Sequence, residues 1–192
     1  WRPDPLAISL ADKHVLREHV AARVGDEHCM PLLWHSNDAA TQVPFDCLPE
    51  RFILKAGHGC NYLIRVDRSS ERASVDREAR AFLRRNFYWT HREPQYLDMT
   101  PTLLAEPWLE DGHPSGPIDY MAYCFDGTPV MISTGDRWAS TFAYQDPDWR
   151  LLDVHKTVRA SHHHVERPDD LPEMLDLAAR MAHGLDFVRV DM

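Results

Sequence analysis

The segment 52–66 constrains the fold more than any other part of the chain, because two apolar runs flank a loop that contains two glycines. The first run ends at Lys55, and the loop carries Gly57, His58 and Gly59. This pattern predicts a β-hairpin whose glycines let backbone N–H groups approach a ligand. A lysine beside those amides would complete a phosphate-binding loop. The order differs from a P-loop, in which the lysine follows the glycines and a helix begins; an ordinary hairpin with a solvent-facing lysine is the alternative.

The composition describes a globular chain of 192 residues with 44% hydrophobic and 27% charged residues, enough for one domain or for two small lobes that share a cleft. The net charge of −9 argues against a non-specific nucleic-acid binder. No apolar segment is long enough for a membrane span. Four scattered cysteines without a CxxC pair predict a reduced, cytoplasmic protein.

One amphipathic helix is expected near the N-terminus. Ser9 with Asp12 forms a variant of the capping box, and Gly25 is placed to end the helix. Lys13 and Arg17 lie four residues apart and therefore share one polar face. That face is either a solvated charged stripe or a basic surface directed at a phosphate.

The remaining pattern alternates strands and helices. Strands are expected at 30–34, 101–109, 119–125, 129–132 and 187–192, and helices at 69–87 and 168–184. The Asp126-Gly127 pair predicts a type I′ hairpin turn. Residues 110–117 are expected to form a hinge between lobes, and the segments 136–149 and 162–164 are expected to be loops.

The last strand carries two opposite charges on one face. Val188 and Val190 should point to one side, and Arg189 and Asp191 to the other. On a buried strand two such charges need a partner or a ligand. A salt bridge on the protein surface is the alternative.

In the order of its sequence stretches, the chain resembles the TupA-like ATP-grasp family, which is named for teichuronopeptide synthesis. The matching stretches are Ala11-Asp12-Lys13, residues 48–55, residues 105–109, Ile118-Asp119-Tyr120 with residues 124–127, and residues 187–191. They cover nearly the whole chain. No single stretch is specific, but the ordered set is.

The resemblance implies roles for the residues of the glycine loop. Lys55 is similar to the ATP-grasp lysine that holds the ATP phosphates, and Lys13 to a second lysine that faces them. Gly57, His58 and Gly59 resemble the mobile glycine-rich lid over the phosphates. All five residues are therefore expected to bind ATP.

The resemblance also implies which residues bind the adenine and the ribose and which residue stabilises the reaction intermediates. Glu106 and the backbone through Trp108 and Leu109 resemble the hinge that holds adenine. Asp119 is similar in position to an acid that binds the ribose hydroxyls. Arg189 resembles the arginine that steadies the acyl phosphate and the tetrahedral oxyanion.

Asp191 resembles the first magnesium carboxylate of the family. The implied enzyme is an ATP- and Mg²⁺-dependent carboxylate–amine ligase of cell-surface polysaccharide or teichuronopeptide-like biosynthesis, with a carboxylate and an amine as substrates, possibly sugar- or polymer-linked. A sugar-directed kinase, a glycosyltransferase-like enzyme and a non-catalytic nucleotide-binding module are the alternatives.

The implied fold is α+β, with two lobes of mainly antiparallel sheet and a nucleotide cleft between them. The expected parts are an N-terminal helix and strand at 1–47, a glycine-loop lid lobe at 48–109 and a catalytic lobe at 110–192. ATP-grasp enzymes carry a second metal-binding strand after the position of Asp191. The chain stops before that strand, so the catalytic lobe is expected to be truncated.

Overall fold

The computed structural model of the protein describes residues 4–109, 118–136, 141–154 and 165–192. It divides into two compact units, Trp1–Trp108 and Leu109–Met192. Each unit contains one four-stranded antiparallel sheet with a helix packed on it. The predicted α+β class with mainly antiparallel sheets is confirmed. Across the described ranges, no helix combines the length and the apolar character that crossing a membrane requires.

The first unit is a sheet with the strand order β1-β4-β2-β3. Its strands are β1 (Trp34–Ser36), β2 (Phe52–Ala56), β3 (Leu63–Val66) and β4 (Leu103–Pro107). Its helices are α1 (Pro5–Ala11), α2 (Leu16–Arg23), α3 (Arg72–Leu83) and α4 (Phe87–His91), with short 3-10 turns at Asp26–His28, Phe45–Cys47 and Pro94–Tyr96. The hairpin predicted from the glycine loop is thus present as β2 and β3.

The two faces of β2 have different roles. Phe52 and Leu54 are buried in the hydrophobic core that the sheet forms with α3. Lys55 points to the opposite face, because side chains alternate along a strand. The register pairs Ile53 with Glu106 on β4, so Glu106 lies on the same face as Lys55. We call this side of the sheet the basic face.

The single helix predicted between Ser9 and Gly25 is wrong. Two helices, α1 and α2, are separated by a turn at Asp12. The Asp12 carboxylate accepts hydrogen bonds from the backbone N–H groups of His14 (2.8 Å) and Val15 (3.3 Å). Because the carboxylate satisfies N–H groups that a continuous helix would bond internally, Asp12 ends one helix and starts the next.

Other boundaries also differ from the expected ones. The strand expected at 30–34 begins only at Trp34. The helix expected from Ser69 or Ser70 begins at Arg72, because Ser69 and Ser70 bond to the Asp67 carboxylate in a preceding turn. The expected continuation of that helix to residue 87 is also wrong, since α3 ends at Leu83 and α4 is a separate helix.

The second unit is a sheet with the strand order β7-β6-β5-β8. Its strands are β5 (Asp119–Phe125), β6 (Thr128–Asp136), β7 (Thr141–Gln145) and β8 (Phe187–Asp191), and its helix is α5 (Leu171–Ala182). The β5–β6 turn has φ of 47° at Asp126 and 75° at Gly127, as the predicted type I′ turn requires. The loop expected at 136–149 is wrong, because β7 lies within it. The expected hinge at 110–117 and the loop at 162–164 lie outside the described residues.

Helix α5 covers one face of the second sheet. Ala122, Cys124, Ala178 and Ala182 are buried between the helix and the sheet, and Val188 and Val190 of β8 pack against them. The opposite face therefore carries the alternate residues of β8, Arg189 and Asp191. We call it the open face.

Candidate functional site

An ion pair links the two central strands on the basic face. Lys55 Nζ lies 2.5 Å from Glu106 Oε2, and the side chain of Glu106 is only 9% exposed. Arg17 of α2 approaches the other oxygen, with Nη1 3.6 Å from Oε1. A single buried carboxylate thus has a cation near each of its two oxygens.

Lys13 bonds to the glycine loop through its backbone and its side chain. Its backbone N–H donates to Gly57 O (3.2 Å), and its ammonium group donates to Gly59 O. Burial lowers the pKa of Lys13, and the nearby ammonium of Lys55 lowers it further. The predicted phosphate lysines therefore lie close enough to interact electrostatically, beside the predicted loop.

The glycines serve close packing rather than an unusual backbone conformation. Gly57, His58 and Gly59 are buried, and neither glycine has a positive φ. A Cβ at Gly59 would lie 2.7 Å from Cε2 of the Tyr62 ring, which leaves no room for a side chain. The positive φ of this turn falls at Asn61 (61°). At Gly59 the glycine thus serves the packing of Tyr62, and the approach of the loop amides to a ligand stays a prediction.

His58 anchors the loop to its surroundings. The ring is 2% exposed, Nδ1 accepts from Thr102 N (3.1 Å), and Nε2 donates to Phe82 O (3.1 Å). This pattern requires the neutral ring, because a protonated imidazole has no acceptor for the Thr102 N–H. Burial lowers the pKa of His58 below its ordinary value of 6.5. The side chain predicted to belong to a lid is thus tied to α3 and to the segment before β4.

We expect this anchor to make stability depend on pH. Below pH 6.5 the unfolded chain binds a proton at His58 that the folded protein does not, so the free energy of unfolding falls as the pH is lowered from 6.5 toward the folded pKa. The slope from one proton is at most about 1.4 kcal/mol per pH unit. Urea unfolding between pH 5 and 8 should show this slope in the wild type, and His58→Gln should reduce it.

The control for that experiment is His28→Gln, since His28 lies on the surface. This variant should keep the slope of the wild type. An equal slope in His58→Gln and in the wild type would contradict the requirement for a neutral, buried ring.

The indole that follows β4 lies close to two guanidinium groups. The Cζ atoms of Arg51 and Arg65 lie 4.5 Å and 5.5 Å from the centroid of the Trp108 ring. Such cation–π contacts fix the ring and with it the backbone that follows Pro107. The side chain of Leu109 is 54% exposed. Of the two residues predicted to form the adenine hinge, Trp108 is thus held by these contacts, whereas the side chain of Leu109 is exposed.

On the open face of the second unit, Arg189 and Asp191 form a two-pronged ion pair. Arg189 Nε and Nη2 donate to the two oxygens of Asp191 at 2.6 Å and 2.7 Å. Their side chains are 48% and 42% exposed. This is the exposed salt bridge that the sequence left open as an alternative. Hydrogen bonding to Asp191 raises the pKa of Arg189, with a smaller contribution from a hydrogen bond to Tyr123.

The same face carries the predicted ribose acid. Asp119 pairs with Gly135 at the start of β5, and Tyr123 of β5 pairs with Arg189. Asp119 and Tyr123 lie on one face because residues four positions apart on a strand point the same way, and Arg189 shares that face because it pairs with Tyr123.

Among the described ranges of the chain, no group of three or more His, Cys, Asp or Glu side chains is arranged to hold a metal ion.

The site residues therefore fall into two sets. The first unit brings together Lys13, Lys55, Glu106 and the loop 57–59. The second unit places Asp119, Arg189 and Asp191 on its open face.

Sequence reasoning missed two partners, Arg17 and Tyr123. The spacing of Arg17 from Lys13 was visible, but its contact with Glu106 depends on how the helix sits on the sheet. Tyr123 is adjacent to Arg189 only through the register of β5 and β8.

Two solved structures illustrate what the chain is similar to. The ATP-grasp ligase PsnB complexed with minimal precursor aligns with a TM-score of 0.48 and 14% identity, covering 97% of this chain and 48% of that one. PsnB complexed with a phosphomimetic variant of minimal precursor, Mg and ADP aligns with a TM-score of 0.47 and 13% identity, covering 97% and 45%. The chain thus spans about half the length of these structures. A search among curated proteins gives no match.

The comparison with protein families covers almost the whole chain. A model of the TupA-like ATPgrasp family matches residues 4–192, a range that extends across both units and contains every candidate residue named above. The match leaves out only three residues at the N-terminus. The chain therefore belongs to the TupA-like ATPgrasp family.

Proposed function

We propose that the protein is an ATP-dependent carboxylate–amine ligase that acts in the assembly of a cell-surface polysaccharide or a teichuronopeptide-like polymer. The observation that carries the proposal is the cluster of Lys13, Arg17 and Lys55 around Glu106, next to the glycine loop. Three cations around one carboxylate leave a net positive charge, which suits a polyphosphate. The polymer pathway rests on family membership.

In the proposed reaction, an oxygen of the substrate carboxylate attacks the γ-phosphorus of ATP, and the bond to ADP breaks. The amine then attacks the acyl carbon, the carbon–oxygen bond to phosphate breaks, and the nitrogen loses a proton to give the amide. Positive groups that face the transferring phosphoryl group lower the barrier because negative charge accumulates there.

Each part of the protein has a proposed role in this reaction. Lys55 and Lys13 bind the phosphates, and the backbone at Trp108 and Leu109 binds the adenine ring. Asp119 binds the ribose. Arg189 donates hydrogen bonds to the oxyanion that forms when the amine attacks.

Asp191 is the proposed magnesium ligand. Its carboxylate supplies hard oxygen ligands, is partly exposed and is already oriented by Arg189. These properties suit Mg²⁺, which retains several waters and would take its remaining ligands from phosphate oxygens. When bound, Mg²⁺ would neutralise charge on the phosphates. A single carboxylate is a minimal donor set, and the nucleotide would have to supply the other negatively charged ligands.

The test has two stages. Calorimetry with ADP and Mg²⁺ should show binding, and a screen of carboxylic acids with amines should show ADP release that requires both an acid and an amine. A phosphorylated product formed without an amine would indicate a kinase instead. Nucleotide binding without turnover on any pair would indicate a binding module, and absence of nucleotide binding would refute the proposal.

A further inference from the structure

We propose that Arg17 is a positioning residue that keeps Glu106 paired while Lys55 turns to a nucleotide phosphate. This inference rests on the proposed function. It extends that function by giving a role to Arg17, a cation that the proposed chemistry does not use directly. The role is an exchange of partners: Glu106 keeps one cation and releases the other.

Arg17 is held in place independently of Lys55. One guanidinium nitrogen, Nη2, donates to Met30 O (2.5 Å), while Nη1 faces Glu106 Oε1 at 3.6 Å. The backbone oxygen of Arg17 also accepts from Cys29 Sγ (3.6 Å). Departure of Lys55 would therefore leave the arginine beside the carboxylate.

The need for a second cation follows from the burial of Glu106. A carboxylate that is 9% exposed loses most of its hydration, and a partner must replace it. Lys13 contributes to the potential around Glu106, but its ammonium group is bonded to Gly59 O. Without Arg17, Lys55 would be the main partner of the carboxylate and would be held there.

Lys55 is the cation suited to move. Its flexible stem ends in three donors that can be shared, whereas the planar guanidinium of Arg17 is held by a hydrogen bond to Met30 O and by its ion pair with Glu106. The two cations face different oxygens of Glu106, so the contact with Lys55 can break while the ion pair with Arg17 remains. Glu106 thus orients Lys55 before binding, and Arg17 allows it to leave.

The first experiment is a double-mutant cycle on ADP binding, measured by calorimetry with Mg²⁺ at physiological ionic strength. Arg17→Met should weaken binding by about tenfold in the wild-type background, because Lys55 stays with Glu106. The same change in a Glu106→Gln background should have little effect, because the carboxylate charge that retains Lys55 is gone. Equal weakening in both backgrounds would show direct contact with the nucleotide and overturn the inference, and so would an unchanged affinity in the wild-type background.

The second experiment needs no nucleotide. Lys55→Met mimics the departure of the lysine, and its effect on the urea midpoint should be at least about twice as large with Arg17→Met as with Arg17 present. Additive effects would overturn the inference. If the wild type bound no nucleotide, the proposed function would fail, whereas this cycle would still decide whether Arg17 keeps Glu106 paired.

Discussion

Replacement of Lys55 by methionine is expected to weaken ATP binding by about 10- to 100-fold and to leave the fold intact. A charge-assisted hydrogen bond from an ammonium group to a phosphate contributes about 1.5–3 kcal/mol, which corresponds to that range of affinity. Methionine keeps the apolar stem and removes only the charged head. Calorimetry with ATP and Mg²⁺ measures the change.

The fold should tolerate this substitution because Glu106 retains Arg17 as a partner. We expect the free energy of unfolding to fall by no more than about 1 kcal/mol, since Arg17 keeps a positive charge beside the buried carboxylate and the Lys55 side chain is itself 27% exposed. Urea unfolding checks this value.

A matched control is Arg68→Met, which removes one positive charge from a side chain that is 79% exposed. It should leave ATP affinity within about twofold of the wild type, since an exposed charge far from a ligand is screened by salt. Unchanged affinity in Lys55→Met would count against the assignment of the phosphate site. Equal losses in both variants would mean that net charge, and not Lys55 itself, attracts the nucleotide.

The sequence predicted features that depend on neighbouring residues. The hairpin 52–66 and the turn at Asp126 and Gly127 were predictable because apolar runs and turn residues act locally. The alternation in β8 likewise placed Arg189 and Asp191 on one face before any register was known.

The features that were not predicted depend on contacts between segments distant in sequence. The helical period and the Ser9 capping pattern both favoured one helix, whereas the Asp12 carboxylate divides it while Lys13 bonds to the glycine loop. The polar and aromatic residues of β7 indicate a loop by themselves, because they form a strand only by pairing with β6. That Gly59 makes room for the ring of Tyr62 is likewise visible only in three dimensions.

The second large effect is expected at Asp191. Asp191→Asn should lower ADP release in the coupled reaction by about 100-fold or more, because electrostatic stabilisation of the transferring phosphoryl group is lost. ATP affinity should change by less than about threefold, since Lys13 and Lys55 carry the proposed phosphate contacts. Steady-state kinetics over a range of Mg²⁺ concentrations, with ATP binding measured in parallel, separates the two effects.

The Mg²⁺ series distinguishes a metal ligand from a residue that only orients Arg189. Asp191 bonds to Arg189 through both oxygens, so the amide would also disturb the guanidinium, whose pKa this contact raises. If Asp191 binds the metal, the Mg²⁺ concentration for half-maximal rate should rise by about tenfold or more. A lower rate with an unchanged Mg²⁺ requirement would leave Asp191 as the partner of Arg189 alone, and an unchanged rate would refute both roles. Asp186→Asn, which neutralises an exposed carboxylate next to the same strand, should change neither quantity.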